Sequence, residues 1–311
     1  MFSDLQRPSS ELFGKSPDSD DRKMGDLVSG EASDYDDAEI VIIGCPQDEG
    51  VRRNNGRVGA AAAPDRIRQL LYQLTSPPDL TAGSIVDLGN IKIAETLEGT
   101  HEIQAKVVAE IIGDAKRLIV LGGGNDISYP DCLGLSKVHQ SILALNIDSH
   151  FDVRENEVRN SGTPYRQLLE ENIIRPGNFF ELAIQPFANA EIYWQYLKSK
   201  EVSIHTLEQL RQQGIEKTLL SILDKNDSEV IFWGFDMDSV CSADAPGVSA
   251  SYDSGLTAEE LLSIAAIAGQ DRRSKIFEIS EVNPTYDIDN KTAKLAAQIV
   301  ICFLNPLAHQ I

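Results

Sequence analysis

Hydrophobic and polar positions along this chain switch repeatedly between two periods. Residues 39–44 (Glu-Ile-Val-Ile-Ile-Gly) form a short β-branched run ending in glycine, the pattern of a buried strand. Further apolar runs of strand length lie at 84–88, 117–121, 142–148, 180–184, 202–204, 229–235 and 275–279. Between several of them apolar residues recur at helical spacing. Residues 64–74 carry Ile67, Leu70 and Leu71 behind a first-turn Pro64, and 103–115 carry Val107, Val108, Ile111 and Ile112. Helices are also expected at 215–223, 258–268 and 291–304. Strands that alternate with helices and lack tight hairpin signals predict a mostly parallel sheet covered on both faces, an α/β chain of three layers. Neither an internal repeat nor a linker interrupts residues 39–311, so a single domain is expected there.

The first 38 residues depart from this pattern. Asp18, Asp20, Asp21, Asp26, Asp34, Asp36 and Asp37 occur there among serines and glycines. Such a composition buries too little apolar surface to offset the entropy of ordering, so a mobile or surface-draped extension is expected. The formal net charge of −20 excludes a general nucleic-acid binder, which needs a basic surface. No apolar run is long enough to span a bilayer, and the start of the chain lacks the basic-then-apolar character of a secretory signal. Cys45, Cys132, Cys241 and Cys302 show neither metal-binding spacing nor a disulfide framework. A cytoplasmic setting is expected, with these thiols inert.

The chemistry concentrates where strands end. Asp148, His150 and Asp152 follow the apolar run at 142–145, and in an extended backbone positions i, i+2 and i+4 share a face. Asp236 and Asp238 repeat the spacing after 230–235. Either set could simply cap helices or bind backbone amides. Two such sets in one sheet, beyond the carboxyl ends of strands where open α/β folds place their sites, favour metal ligation. Oxygen donors with one imidazole suit Mn²⁺ or Mg²⁺ better than structural zinc, and a pair of ions ~3.5–4 Å apart supports hydrolysis. The turn Gly122-Gly123-Gly124 lacks the Lys-Ser/Thr of a phosphate loop.

These motifs carry a family resemblance. Asp148-Ser149-His150-Phe151-Asp152 resembles the Asp-Ala-His-x-Asp motif of the ureohydrolases, the arginase and agmatinase superfamily. The stretch from Phe235 to Asp238, with Ala245-Pro246-Gly247 behind it, and Glu281-Val282-Asn283-Pro284 are similar to two further family motifs in the same order. Residues 47–59, with Asp48-Glu49-Gly50-Val51-Arg52-Arg53-Asn54, and residues 160–166 are most similar to formimidoylglutamases. Ser161 stands where arginases usually carry a histidine.

The resemblance implies an arginase-like fold and a homo-oligomer, trimeric or hexameric. It implies two Mn²⁺ ions, bridged by Asp148 and Asp236, with His150 and Asp238 completing one site and Asp152 the other. A metal-bridging hydroxide would cleave N-formimidoyl-L-glutamate to L-glutamate and formamide. Glu281 would face the cationic group, and Asp152 would deliver a proton. Arg52, Arg53, Arg57 and Arg154, with Ser161, Gly162 and Thr163, are the candidate substrate contacts; for each arginine an ordinary salt bridge is an equal expectation. Agmatine, guanidinobutyrate and guanidine remain alternative substrates.

One position departs from the family. Where a metal-binding histidine usually follows the glycines, this chain has Asn125-Asp126. Asn125 acting as a weak oxygen ligand is the favoured expectation. Asp126 swinging in as a substitute, or a metal-poor, non-catalytic family member, are the alternatives. His101, His139, His205 and His309 lie outside the motifs and are expected to be surface or packing residues.

Overall fold

A computed structural model describes residues 2–13 and 21–310; the expected acidic positions Asp18 and Asp20 lie outside the described residues. Ten strands form one sheet: β1 (Leu5–Gln6), β2 (Val28–Ser29), β3 (Ile40–Gly44), β4 (Ile85–Ile91), β5 (Arg117–Leu121), β6 (Ile142–Ile147), β7 (Phe179–Ile184), β8 (Ser203–Thr206), β9 (Val230–Asp236) and β10 (Ser274–Ser280). Their order is β1-β4-β3-β5-β10-β9-β6-β7-β8, with β2 also on β4, and every pairing except β1 with β4 is parallel. The helices are α1 (Glu49–Arg53), α2 (Ala63–Leu71), α3 (Leu97–Gly113), α4 (Ser128–Ser136), α5 (Pro164–Glu170), α6 (Glu191–Ser199), α7 (Leu207–Gln213), α8 (Ile215–Lys225), α9 (Ala258–Gln270) and α10 (Lys291–Leu307).

The pleat explains the layers. Along β3, Ile40 and Ile42 belong to one apolar cluster and Val41 and Ile43 to the other, so a strand buried on both sides reads as continuous hydrophobicity. The first cluster takes side chains from α2, α7, α8, α9 and α10, and the second from α3, α4, α5 and α6. α2 is tied to β4 by an ion pair with no exposure on either side: Arg68 donates to both oxygens of Asp87 at 2.8 and 3.0 Å, and Tyr72 Oη donates to Asp87 Oδ2 at 2.5 Å.

Residues 2–13 and 21–38 lie along the sheet. Leu5, Met24, Leu27 and Val28 are buried, and the two-residue strands β1 and β2 share the outer edge of β4. An unpaired strand edge is a template for aggregation, and these short segments cover it.

Some expectations shift. α3 starts at Leu97, six residues before its apolar periodicity begins, because Thr96 caps it by accepting Gly99 N–H at 3.1 Å. α4 was not anticipated, since seven of its nine residues are buried and it has no polar face to create a period.

Candidate metal centre

Sheet order gathers the candidate residues. β5, β10, β9 and β6 are successive neighbours, and all are parallel. Their carboxyl ends therefore deliver Asn125, Glu281, Asp236 and Asp148 side by side. The close approach of backbones explains the glycines after β5: a Cβ on Gly123 would sit 1.7 Å from Gln47 O.

The ligand spacing works through turns and not through the pleat. β6 ends at Ile147, His150 N–H donates to Asp148 Oδ1 at 2.7 Å, and Asp152 sits in left-handed backbone at φ 48°. In the same way Asp236 ends β9, and Asp238 N–H, in a 3₁₀ turn, donates to Asp236 Oδ1 at 2.8 Å. Glu281 is also left-handed, at φ 62°. Non-glycine residues held there store strain, which clusters at functional sites.

Two groups of ligand atoms result, each within 4.8 Å: Asp148 with His150 and Asp238, and Asp148 with Asp152 and Asp236. Asp148 is common to both. His150 Nδ1 lies 3.1 Å from Asp238 Oδ2 and 3.5 Å from Asp148 Oδ1. Burial, with Asp238 nearby, pushes the Asp148 carboxyl up to about 7, and burial with neighbouring carboxylates drives Asp152 and Asp236 well upward. Burial disfavours a charged His150, yet Asp238 and Asp148 hold its pKa well above the usual value. Asp238 Oδ1 is buried without a hydrogen-bond partner among the described residues. Carboxylates packed this way need a cation, and these donors fit a pair of hard divalent ions.

Asn125 presents its amide differently from the expected oxygen ligand. Nδ2 donates to Asp152 Oδ2 at 2.7 Å and to Asp148 Oδ2 at 3.2 Å, while Oδ1 accepts from Ser128 and Ser280 hydroxyls at 3.1 Å each. Asp126 faces elsewhere: Gln47 Nε2 and His101 Nε2 approach its Oδ2 at 2.7 and 2.8 Å. His101, expected at the surface or in packing, is thus a buried partner of Asp126.

Glu281 stands beside this cluster. Its Oε1 accepts Asn125 N–H at 2.9 Å, its Oε2 accepts the Ser249 hydroxyl, and burial pushes its pKa up to about 8. Of the arginines, Arg52 pairs with Glu49, and Arg53 with Glu49 and Glu98. Arg57 donates to Val248 O and Ser249 O at 2.5 and 3.1 Å and stacks on Tyr286. Arg154 alone of these four makes no ion pair or side-chain hydrogen bond among the described residues; it is exposed, packed against Gly162. Ser161 accepts from Asn54 Nδ2 at 3.1 Å, and Thr163 Oγ1 donates to Asn160 O at 2.9 Å. Ser249 and Tyr252, both at the centre, escaped sequence reasoning because nothing in a Ser-Ala-Ser-Tyr-Asp-Ser loop marks them.

The Arginase family model matches residues 38–305, which include every residue of the cluster. The chain belongs to the arginase family. It is 37% identical to a formimidoylglutamase of Staphylococcus aureus over 272 residues, 85% of each chain. Among solved arginase-family relatives, formiminoglutamase of Trypanosoma cruzi with Mn²⁺ superposes with a TM-score of 0.83 at 33% identity, covering 88% of this chain and 95% of that one. Formimidoylglutamase of Bacillus subtilis superposes at 0.87 with 29% identity, covering 97% and 96%. Mn²⁺ in the Trypanosoma cruzi relative agrees with the donor chemistry of the two ligand groups here.

Proposed function

We propose that this arginase-family chain hydrolyses a linear amidine, N-formimidoyl-L-glutamate, to L-glutamate and formamide, a step of histidine degradation. The observation that carries this reading is the pair of ligand groups sharing Asp148, with Glu281 alongside. Its substrate comes from the similarity to formimidoylglutamases. Asp148, His150, Asp152, Asp236 and Asp238 would hold two Mn²⁺ ions, which when bound supply acidified water and charge stabilisation.

The chain's own residues do the rest. A cation beside Glu281 lowers its raised pKa, so the carboxylate is ionised when it pairs with the cationic amidinium and sets the angle of its carbon; the Asn125 backbone N–H keeps one carboxylate oxygen in place while the substrate exchanges for Ser249 on the other. Asn125 Nδ2 directs the Asp152 carboxylate, which takes the proton from the attacking water and passes it to the departing nitrogen. Addition of water to the amidine carbon and cleavage of its bond to the glutamate nitrogen leave formamide and a free amine. Arg154, without a side-chain partner among the described residues, is a cation available for a substrate carboxylate.

A cytoplasmic enzyme, trimeric or hexameric, goes with this proposal; light scattering on the purified chain tests the oligomer. Among the described residues no helix is long and apolar enough to cross a membrane. The deciding experiment for substrate is a panel on Mn²⁺-loaded protein: formamide release from N-formimidoyl-L-glutamate is expected. Urea release from agmatine, guanidinobutyrate or guanidine with no formamide would overturn it.

A further inference from the structure

The loop between β9 and α9 carries a residue that acts on the imidazole of the cluster. Its base is pinned by Cys241 N–H on Leu256 O at 3.0 Å and Leu256 N–H on Ser239 O at 2.8 Å. Nearer the tip, Ser242 N–H donates to Tyr252 O at 2.7 Å, and Ser242 Oγ donates to Asp253 Oδ1 at 2.7 Å. The chain at Tyr252 and just after it is therefore held. That ring reaches back over His150, with centroids 5.6 Å apart, and its Oη lies 3.2 Å from His150 Nε2. On its outer side Phe187 packs edge-on at 5.3 Å.

The two nitrogens of His150 then have separate duties. Nδ1 is the atom that faces Asp148 and Asp238 and belongs to their ligand group. An imidazole that gives one nitrogen's lone pair to a cation carries its hydrogen on the other, and an acceptor for that hydrogen fixes both tautomer and ring plane. Tyr252 Oη is the partner within hydrogen-bond distance of Nε2 among the described residues. Ligating histidines more often use a carboxylate or carbonyl for this purpose. In a cluster already crowded with carboxylates, a neutral phenol accepts the hydrogen without adding another negative charge.

We propose that Tyr252 is a positioning residue of this centre, its hydroxyl accepting the Nε2 hydrogen of His150 and holding Nδ1 toward the ion shared with Asp148 and Asp238. The inference rests on the functional reading above only in requiring that the chain bind Mn²⁺.

The test is Mn²⁺ titration of the full chain, following free ion by electron paramagnetic resonance, for the unsubstituted protein and for Tyr252→Phe. The substitution keeps the ring and its contact with Phe187 and removes only the hydroxyl. Because His150 belongs to one of the two ligand groups, one Mn²⁺ should weaken by about tenfold or more while the second is unchanged. The melting temperature of metal-free Tyr252→Phe should match that of the unsubstituted chain. Phe187→Ala, which strips the neighbouring ring and leaves the hydroxyl, should bind both ions normally if the hydroxyl carries the effect. Two ions held by Tyr252→Phe within twofold of the unsubstituted affinity would overturn the proposal, as would equal weakening of both. An unsubstituted chain that holds no Mn²⁺ would overturn the functional reading and this inference with it.

Discussion

Removing the metal should invert the usual dependence of stability on pH. In the metal-free chain the Asp148 carboxyl is pushed up from 3.8 to about 7 by burial and by Asp238, and Glu281 from 4.5 to about 8 by burial. Over the interval between the unfolded and folded values the native state keeps protons that the unfolded chain has already released. Stability must then fall as pH rises through that window. At about 1.36 kcal/mol per pKa unit, Asp148 alone accounts for about 4 kcal/mol between about pH 4 and pH 8. With an unfolding entropy of roughly 2.1 cal/mol/K per residue, a chain of this length loses about 6 °C of melting temperature. A carboxylate held down by surface arginines acts in the opposite sense. Glu49, held down at about 2 by Arg52 and Arg53, contributes stability that is lost only in acid, below its unfolded value. His205, lowered by burial, changes stability in the opposite direction and only below about pH 6.5. The assay is scanning fluorimetry at fixed ionic strength from about pH 4 to pH 8, on chelator-treated and on Mn²⁺-saturated protein. The treated sample should melt lower as pH rises, and the increment from Mn²⁺ should grow by a similar amount, because the ion replaces the bound protons. General acidic repulsion would give a slope of the same sign, so Asp148→Asn is the discriminating variant: it should make the slope shallower, leaving the part that Glu281, Asp152 and Asp236 contribute. A metal-free melting temperature that holds or climbs across this range, or an unchanged slope in Asp148→Asn, would refute the reasoning.

Asn125→His should tighten the Mn²⁺ held by Asp148, Asp152 and Asp236 by about tenfold, because an imidazole lone pair replaces an N–H pointed at the carboxylates; isothermal titration measures it. Arg68→Met should destabilise the fold by about 3–5 kcal/mol, since it strands the buried Asp87 carboxylate. Replacing Asp87 by Leu in the same chain should restore much of that loss, which urea melts of the single and double variants would resolve.

What the sequence conveyed, and where it stopped, follows from how far each property depends on neighbours. β3, β5, β6 and β10 are legible because a strand buried on both faces is apolar whatever packs on it. The acidic residues at strand ends are legible for a related reason: ionisable side chains following a buried strand need a partner wherever the chain goes next. The geometry was a different matter. Asp148, His150 and Asp152 converge through a turn with a left-handed Asp152, and not through the alternation of an extended strand from which their convergence was argued. Arg52, Arg53, Arg57 and Arg154 were equally expected as substrate contacts or as salt-bridge partners; three of the four bond to Glu49, Glu98 and loop carbonyls, and no local pattern ranks a guanidinium by its distant partners.

Asn125 shows the limit most sharply. Its sequence position identified a departure from the family, but an amide can offer either an oxygen or hydrogens to what lies before it. The hydroxyls of Ser128 and Ser280 take the oxygen, and Asp148 and Asp152 receive the hydrogens. One of those serines lies three residues on and the other lies on β10, so the choice is made by sheet order. The consequence is chemical. An asparagine turned this way partly neutralises the Asp148–Asp152 pair before any ion arrives, so the chain should fold without metal at a smaller electrostatic cost and should bind that ion more weakly. The same amide that weakens the site therefore supports it when empty, and the pH slope of the metal-free protein should steepen in Asn125→Ala, where that support is gone.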